Sequence, residues 1–563
     1  MEREEAASEE SLCDTPPPCP IKEDYADHWQ QNVWDPSSNM EFRYSEDPAC
    51  DPFVCAGEER YVRERKKIVL ESLNILGIEC AENSVPNIAV LGSGGGTRAA
   101  VSLIGSLYQM EKDSLLNSVL YLGGVSGSTW SMAYLYGDLE WSIKMEEARS
   151  RLMDSDVDMK EKLHWLSKRL NDKHFSLTDL WGLMTCSRFM KQMDPRHLSE
   201  EAWRDATNPY PIYCAIEKHF FDDGPPEGQW FEISPHEAGF TELGLFVETS
   251  LLGSKFESGR LVEKLPEMDM IHLQGILGSA LASERQIKEH ILNCVKKAVD
   301  VAREYCIRVN DAIHGYIITA RNFFKRLIAA LLPKKKEIGY RGPLAYGQIK
   351  YRAGCPDPGI YTAYGCPPDI VLIKKTLHLV MNWEWGTTNN FLYKYHHSSM
   401  PQKLTSMEEL HLMDAGLLMN LPFPSFWGEK RDIDLIIALE YSAGDMFDTL
   451  IRAKKYAEDL NKPLPEMNVE VLEDKEWPND FYVFEGKEKA PTIVYLPLFN
   501  NKNCKDADEV KAKMAQFSTF RLPFSQEEIK DLLGLAEENM KRNKENIMEE
   551  IKKAVTRREN KQK

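Results

Sequence analysis

The stretch Val119-Leu120-Tyr121-Leu122-Gly123-Gly124-Val125-Ser126-Gly127-Ser128-Thr129-Trp130 decides how this chain reads. Its apolar opening has the pattern of a buried strand, and a serine set between glycines follows. A strand that ends in a Gly-flanked serine and passes into a helix has the geometry of a nucleophile elbow. Gly124 and Gly127 suit such a turn, because a Cβ would clash where the backbone is crowded. The pentad Gly124-Val125-Ser126-Gly127-Ser128 departs from Gly-x-Ser-x-Gly only at its fifth residue. The first expectation is a serine acyl-transfer enzyme in which Ser126 attacks an ester.

Upstream, Pro86-Asn87-Ile88-Ala89-Val90-Leu91 reads as another buried strand and runs into Gly92-Ser93-Gly94-Gly95-Gly96. Thr97 to Met110 follows as a helix, with Ala100, Val101, Ile104, Leu107 and Tyr108 on one side. Strand, glycine turn, helix, strand, serine turn, helix is a repeated unit. It predicts an α/β fold: one large catalytic domain with a mainly parallel central sheet. Further strands are expected at Ile212 to Ile216, Leu410 to Met413, Ile433 to Leu439 and Ile493 to Leu496. Ahead of the first strand, Tyr61 to Leu76 has a helical apolar stripe that Gly77 ends.

Three segments depart from this rhythm. Residues 1–58 are acidic, contain several prolines and lack periodicity, which predicts a disordered leader. Residues 268–405 combine long helical stretches with the Pro/Gly-rich run Gly342 to Pro368, which predicts a cap inserted into a catalytic domain spanning 59–545. Residues 546–563 are expected as a charged tail. They close a charged helix from Gln526 whose apolar side is Leu532, Leu533, Leu535, Met540, Ile547 and Ile551.

The 563 residues are 43% apolar, enough for a sizeable core, and carry a net charge of −19. That charge argues against a nucleic-acid partner. No apolar run approaches the roughly 18 residues of a membrane span. The opening Met1-Glu2-Arg3-Glu4-Glu5 has no secretory apolar region, and the 12 cysteines show no metal-type pairing, so a cytoplasmic protein with free thiols is expected. Glu2 excludes N-myristoylation, and the last residues carry no prenylation cysteine. Any membrane contact is therefore expected from the folded surface. Ile313 to Lys336, apolar on one side and basic on the other, is a membrane-facing helix or an ordinary cap helix.

A serine hydroxyl needs a base. Thirteen histidines are available, among them His396, His397 and His411, but none sits in a catalytic motif. Asp414, in Leu412-Met413-Asp414-Ala415-Gly416, ends an apolar strand before a glycine turn, where open α/β sheets place functional groups. The backbone N–H groups of Gly94, Gly95 and Gly96 open a helix and form an anion cradle, which with the Gly127 N–H would make an oxyanion hole. A dinucleotide loop is disfavoured because Gly92, Gly94 and Gly96 miss the Gly-x-Gly-x-x-Gly spacing. Arg98 opposes the helix dipole at that helix start, for which a bound phosphate is one reason and a surface ion pair another.

The blocks Ser93 to Ala99, Gly124 to Trp130 and Met413 to Leu417 resemble the catalytic blocks of the cytosolic (group IV) phospholipase A2 family, in the form lacking a calcium-binding C2 domain. The likeness extends through Gly253-Ser254-Lys255-Phe256 and Trp383 to Thr388, over roughly residues 60–545. It implies the patatin-like fold of that family and a Ser126/Asp414 dyad without histidine. It implies an oxyanion hole at Gly95 and Gly96, and phosphate-binding arginines at Arg98 and Arg431. No metal and no cofactor are implied. The expected activity is calcium-independent release of fatty acid from glycerophospholipids through an acyl-enzyme, with lysophospholipase and transacylase side activities. Phospholipid and lysophospholipid are the expected substrates and a phospholipid membrane surface the partner. The expected location is cytoplasmic, on internal membranes such as endoplasmic reticulum. Two other readings stay open: a non-enzymatic lipid-binding protein and a small-ester hydrolase.

Overall fold

A computed structural model describes residues 54–153, 157–169, 175–279, 386–395, 400–428, 430–467, 474–519 and 524–561. The apolar runs of the sequence become the centre of its sheet. Strands β1 (Ile88–Gly92), β2 (Tyr121–Gly124) and β3 (Tyr210–Glu217) are buried along their whole length, which is the burial of strands covered on both faces. A short antiparallel run follows: β4 (Trp230–Ile233), β5 (Glu237–Phe240) and β6 (Leu245–Glu248). The hairpin β7 (Lys255–Glu257) and β8 (Arg260–Glu263) stands apart. Then come β9 (Gly386–Asn389), β10 (Glu409–Asp414), β11 (Leu435–Glu440), β12 (Tyr482–Phe484) and β13 (Thr492–Pro497).

The sheet order is β12-β13-β11-β1-β2-β3-β4-β5-β6. Its centre, from β13 through β11, β1 and β2 to β3, is parallel, as the sequence reading has it. The antiparallel flanks are not in that reading. Their strands are short and broken by turns such as Ser234-Pro235-His236, so no long period builds up.

The pairing along β3 sets up the rest. One edge of β3 carries β2 as far as the Gly124–Tyr213 pair. Two residues further along the same edge, β10 takes over, with Asp414 opposite Ala215. β2 and β10 therefore meet end to end, and the end of β2 and the end of β10 lie about 7 Å apart along β3 at the usual strand rise.

Helix α1 (Ala56–Ile75) starts before Tyr61, capped by the Cys55 sulfur that accepts from the Glu58 N–H. Its Glu58 is fully buried, so the catalytic unit begins ahead of residue 59. Helices α2 (Thr97–Lys112) and α3 (Gly127–Leu135) follow the two glycine turns. Helix α4 (Leu177–Met184) crosses α5 (Met270–Leu277) at glycines: a Cβ on Gly275 would stand 2.3 Å from the Thr178 carbonyl oxygen.

Two boundaries shift from the sequence reading. Helix α5 is buried throughout and β9 pairs with β10, so both ends of the expected 268–405 cap belong to the core. Residues 280–385, with Ile313 to Lys336, and residues 1–53 of the leader lie outside the described residues. The C-terminal charged segment is no detached tail. Helix α6 (Gln526–Arg542) packs on α2, where a Cβ on Gly105 would meet the Leu533 oxygen at 2.9 Å. Helix α7 (Lys544–Lys561) buries Ile547, Ile551, Ala554 and Val555, and its Arg558 and Lys561 bind Asp432 and Asp434. Four apolar residues at helical spacing are enough to seat it, which a count of its charges conceals.

Candidate active site

Ser126 occupies the turn between β2 and α3 with φ 53° and ψ −121°, a conformation that costs a residue with a Cβ and is kept where packing enforces it. The enforcement comes from the neighbouring turn. A Cβ on Gly127 would stand 2.0 Å from the Gly96 carbonyl oxygen, and one on Gly94 would stand 2.9 Å from the Ser126 Cβ. The fifth position of the pentad has its own reason: the Ser128 hydroxyl donates to the Ser93 carbonyl at 2.6 Å and ties one turn to the other. Neither α2 nor α3 has a side-chain cap, so N–H groups at both helix starts are left for an anion. Ser126 is 5% exposed.

Asp414 closes β10 and is fully buried. One carboxylate oxygen accepts from the Gly416 N–H at 2.8 Å, and its own N–H donates to the Ser279 hydroxyl at 3.1 Å. Asn420 links this loop to the glycine turn. Its carbonyl accepts from the Gly94 N–H at 3.0 Å, and its side-chain amide donates to the Gly94 carbonyl at 3.0 Å and to Ser442. A Cβ on Gly94 or on Gly416 would collide with the Asn420 Oδ1, at 2.2 and 2.8 Å. The structure thus brings Gly94, Gly95, Gly96, Ser126, Gly127 and Asp414 to one place. Sequence reasoning missed Asn420 and Ser279. The one signal for Asn420 is a lone amide inside Leu417-Leu418-Met419-Asn420-Leu421.

The histidines set aside in the sequence and the two expected arginines are placed differently. His411 lies three residues before Asp414 on β10, so it faces the other side of the sheet. There its ring is 5.0 Å from that of His219, and its Nδ1 is 3.2 Å from the Thr387 hydroxyl. His396 and His397 lie outside the described residues.

Arg98 sits beside the glycine turn, but it is fully buried and its guanidinium is turned to the protein. It donates to the Tyr441 carbonyl at 2.7 Å, the Phe517 carbonyl at 2.6 Å and the Thr519 hydroxyl at 3.1 Å. Burial pushes its pKa down to about 10, with Glu440 acting the other way. In this structure Arg98 is a clamp under Gly95, whose Cβ would stand 2.9 Å from its Nη2, and not an exposed phosphate ligand.

Arg431 is not at the site. Its carbonyl accepts from the Asn87 side chain at 2.9 Å, and Asn87 precedes β1, at the opposite end of the parallel strands from Ser126. Its guanidinium is held by Glu58 at 2.7 and 3.0 Å, by Glu232 at 2.9 and 3.1 Å, and by the Ser425 carbonyl at 2.7 Å. Two carboxylates already neutralise it, so a phosphate has no vacancy there. Burial would raise the Glu232 carboxyl, but Arg431 and Lys430 outweigh it and hold Glu232 well below the usual range. Among the described residues no cluster of three or more His, Cys, Asp or Glu could hold a metal ion.

The model of the lysophospholipase catalytic domain matches residues 88–293. Cytosolic phospholipase A2 gamma of Homo sapiens is 34% identical over 525 residues, covering 88% of this chain and 94% of that protein. The Mus musculus protein of the same name is 31% identical over 552 residues, covering 88% and 91%. Among solved structures, human GIVD cytosolic phospholipase A2 aligns with a TM-score of 0.64 at 22% identity, over 90% of this chain and 68% of that one. The same protein in complex with methyl gamma-linolenyl fluorophosphonate aligns at 0.59 and 23%, over 90% and 65%. The structural likeness extends to the fold.

Proposed function

The chain belongs to the cytosolic phospholipase A2 family and is a phospholipase, and from that premise we propose that it cleaves glycerophospholipid acyl esters with a Ser126/Asp414 dyad. The observation that carries this reading is the end-to-end meeting of β2 and β10 along β3, which delivers a strained serine and a buried aspartate to one place. Asp414 takes the Ser126 proton as the hydroxyl oxygen attacks the ester carbonyl. The negative charge on the carbonyl oxygen rests on N–H groups of Gly95, Gly96 and Gly127. The intermediate collapses, and the lysophospholipid leaves as the alcohol, its oxygen taking the proton held on Asp414. Water then attacks the Ser126 ester, gives its proton to Asp414 and releases the fatty acid as Ser126 regains a proton. A lysophospholipid alcohol in place of water gives transacylation, and a lysophospholipid in place of the diacyl substrate gives lysophospholipase action.

Because the ester lies in a bilayer, the enzyme meets it at a membrane surface from the aqueous side. No step passes through a metal ion, so release is expected to continue in chelator. Fatty-acid release from phosphatidylcholine vesicles by wild type and Ser126→Ala tests the proposal. The variant should be silent; equal release by both proteins would sink it.

A further inference from the structure

Asp414 is the last residue of β10, where strand pairing runs out. On one edge it lies opposite Ala215 of β3. On the other edge, among the described residues, β9 starts at Gly386 opposite Leu412, two residues short of Asp414. The Asp414 N–H does not go to β3. A side chain takes the place of the next strand acceptor: the Ser279 Oγ accepts from that N–H at 3.1 Å, in a residue only 3% exposed. The Asp414 carboxylate is tied to the same stretch of backbone, because its Oδ1 accepts from the Gly416 N–H at 2.8 Å. A shift of the backbone there carries the carboxylate with it.

Ser279 is itself held in place. It follows α5, which is buried throughout and is capped by Gly278. The Gly278 N–H donates to the Gln274 carbonyl at 3.1 Å, and its carbonyl accepts from the Trp181 indole at 3.0 Å. Its φ of −106° is open to any residue, so backbone freedom does not call for a glycine. Trp130 does: a Cβ on Gly278 would stand 2.3 Å from the indole Nε1. Trp130 is fully buried on α3, one turn after Ser126. Its N–H has no hydrogen-bond partner among the described residues, a loss for a buried donor. Packing therefore keeps the ring there, with Phe189 stacked on it at 5.8 Å and Trp181 edge-on at 6.4 Å.

Gly278 and Ser279 thus bridge the helix of the nucleophile and the strand of the base. We propose that Ser279 is a positioning residue for Asp414: its hydroxyl fixes the Asp414 backbone, and its neighbour Gly278, seated on Trp130, refers that backbone to the helix that carries Ser126. The inference rests on the Ser126/Asp414 reading above, since it assigns Ser279 to that reaction.

Ser279→Ala removes the acceptor, and Ser279→Thr keeps the hydroxyl. The kcat and KM for radiolabelled phosphatidylcholine vesicles are measured for wild type, both variants, Asp414→Asn, and Asp414→Asn combined with Ser279→Ala, each checked for folding by thermal unfolding. Ser279→Ala should lower kcat about 10-fold with KM nearly kept, part of the roughly 100-fold that a misplacement of about 1 Å costs. Ser279→Thr should stay within about threefold of wild type, since it keeps the hydrogen bond. In the Asp414→Asn background the alanine change should cost less than about twofold more, because a residue that acts through another is not additive with it. A wild-type kcat in Ser279→Ala would overturn the proposal, and so would a folded Ser279→Thr as slow as Ser279→Ala. An equal loss with and without the Asp414 carboxylate would reduce Ser279 to a structural contact and overturn it too. Should Ser279→Thr not fold, the combined variant decides. Asp414→Asn with wild-type turnover would bring down the dyad reading itself, whereas a crippled Asp414→Asn beside an unaffected Ser279→Ala brings down only Ser279.

Discussion

Gly127→Ala sets two physical effects against each other. Gly127 opens α3, and by helix propensity alone alanine there should stabilise by about 0.5–1 kcal/mol. The packing says the reverse. The new Cβ would lie 2.0 Å from the Gly96 oxygen, 2.7 Å from its carbonyl carbon and 2.9 Å from its Cα. Ordinary contact is about 3.5 Å, so the Gly96 backbone has to retreat by more than an ångström. These are backbone atoms, which no rotamer change can move aside. Overpacking of this kind costs about 1–3 kcal/mol, more than the propensity gain. The retreat also moves the N–H groups proposed to hold the oxyanion, and a misplacement of about 1 Å costs on the order of 100-fold in rate. The assay is kcat on phosphatidylcholine vesicles with a thermal unfolding curve of the same preparation. The expected result is a destabilised enzyme with kcat down about 100-fold. A stabilised variant with full kcat would refute the claim that the two turns are packed against each other as a working pair.

Three further outcomes follow from the described contacts. Arg431→Ala should destabilise by about 3–5 kcal/mol, because it strands the buried Glu58 carboxylate and leaves the buried Glu232 to Lys430 alone. Where the variant folds, its KM for phospholipid should stay near wild type, and a large selective rise in KM would restore Arg431 as a phosphate ligand. Glu232 also sets a sign for acid unfolding: its folded pKa lies below the unfolded value of about 4.3, so its stabilisation is present above that pH and is lost as pH falls through the folded value. In Arg431→Ala only Lys430 still pairs with Glu232, so the loss of stability should set in at higher pH than in wild type in a melting temperature measured against pH; an unchanged pH profile would contradict the pairing. Asp414→Asn should lower kcat by about 100- to 10,000-fold with little change in KM, as expected for loss of a general base, and near-wild-type turnover would remove Asp414 from its role.

The centre of the fold was legible because its strands are continuous apolar runs that end in glycine turns. Ile88 to Gly92 and Tyr121 to Gly124 announce themselves locally, and so does Ser126. The antiparallel flanks were not legible, since β4, β5 and β6 are four residues each and pair in series outward from β3. Within the site, Asp414 could be singled out as a strand-end acid, but not its approach to Ser126, which depends on two strands sharing one edge of a third. Arg431 shows the limit most plainly. The family resemblance implies a phosphate-binding role for it, yet its partners Glu58 and Glu232 are 373 and 199 residues away, and only the folded chain brings them together. Ser128 looked like an irregular fifth residue until its bond to Ser93 gave it a purpose.

The most direct test of the account is covalent trapping. A fluorophosphonate carrying a fatty-acyl chain phosphonylates an activated serine, losing fluoride as the serine oxygen bonds to phosphorus. Treated protein is digested and the modified peptide located by mass spectrometry, in parallel with fatty-acid release by the same sample. The account predicts one adduct, on Ser126, gained in step with the loss of activity and absent from Ser126→Ala. Inactivation with the adduct on another residue, or full activity with Ser126 modified, would contradict it.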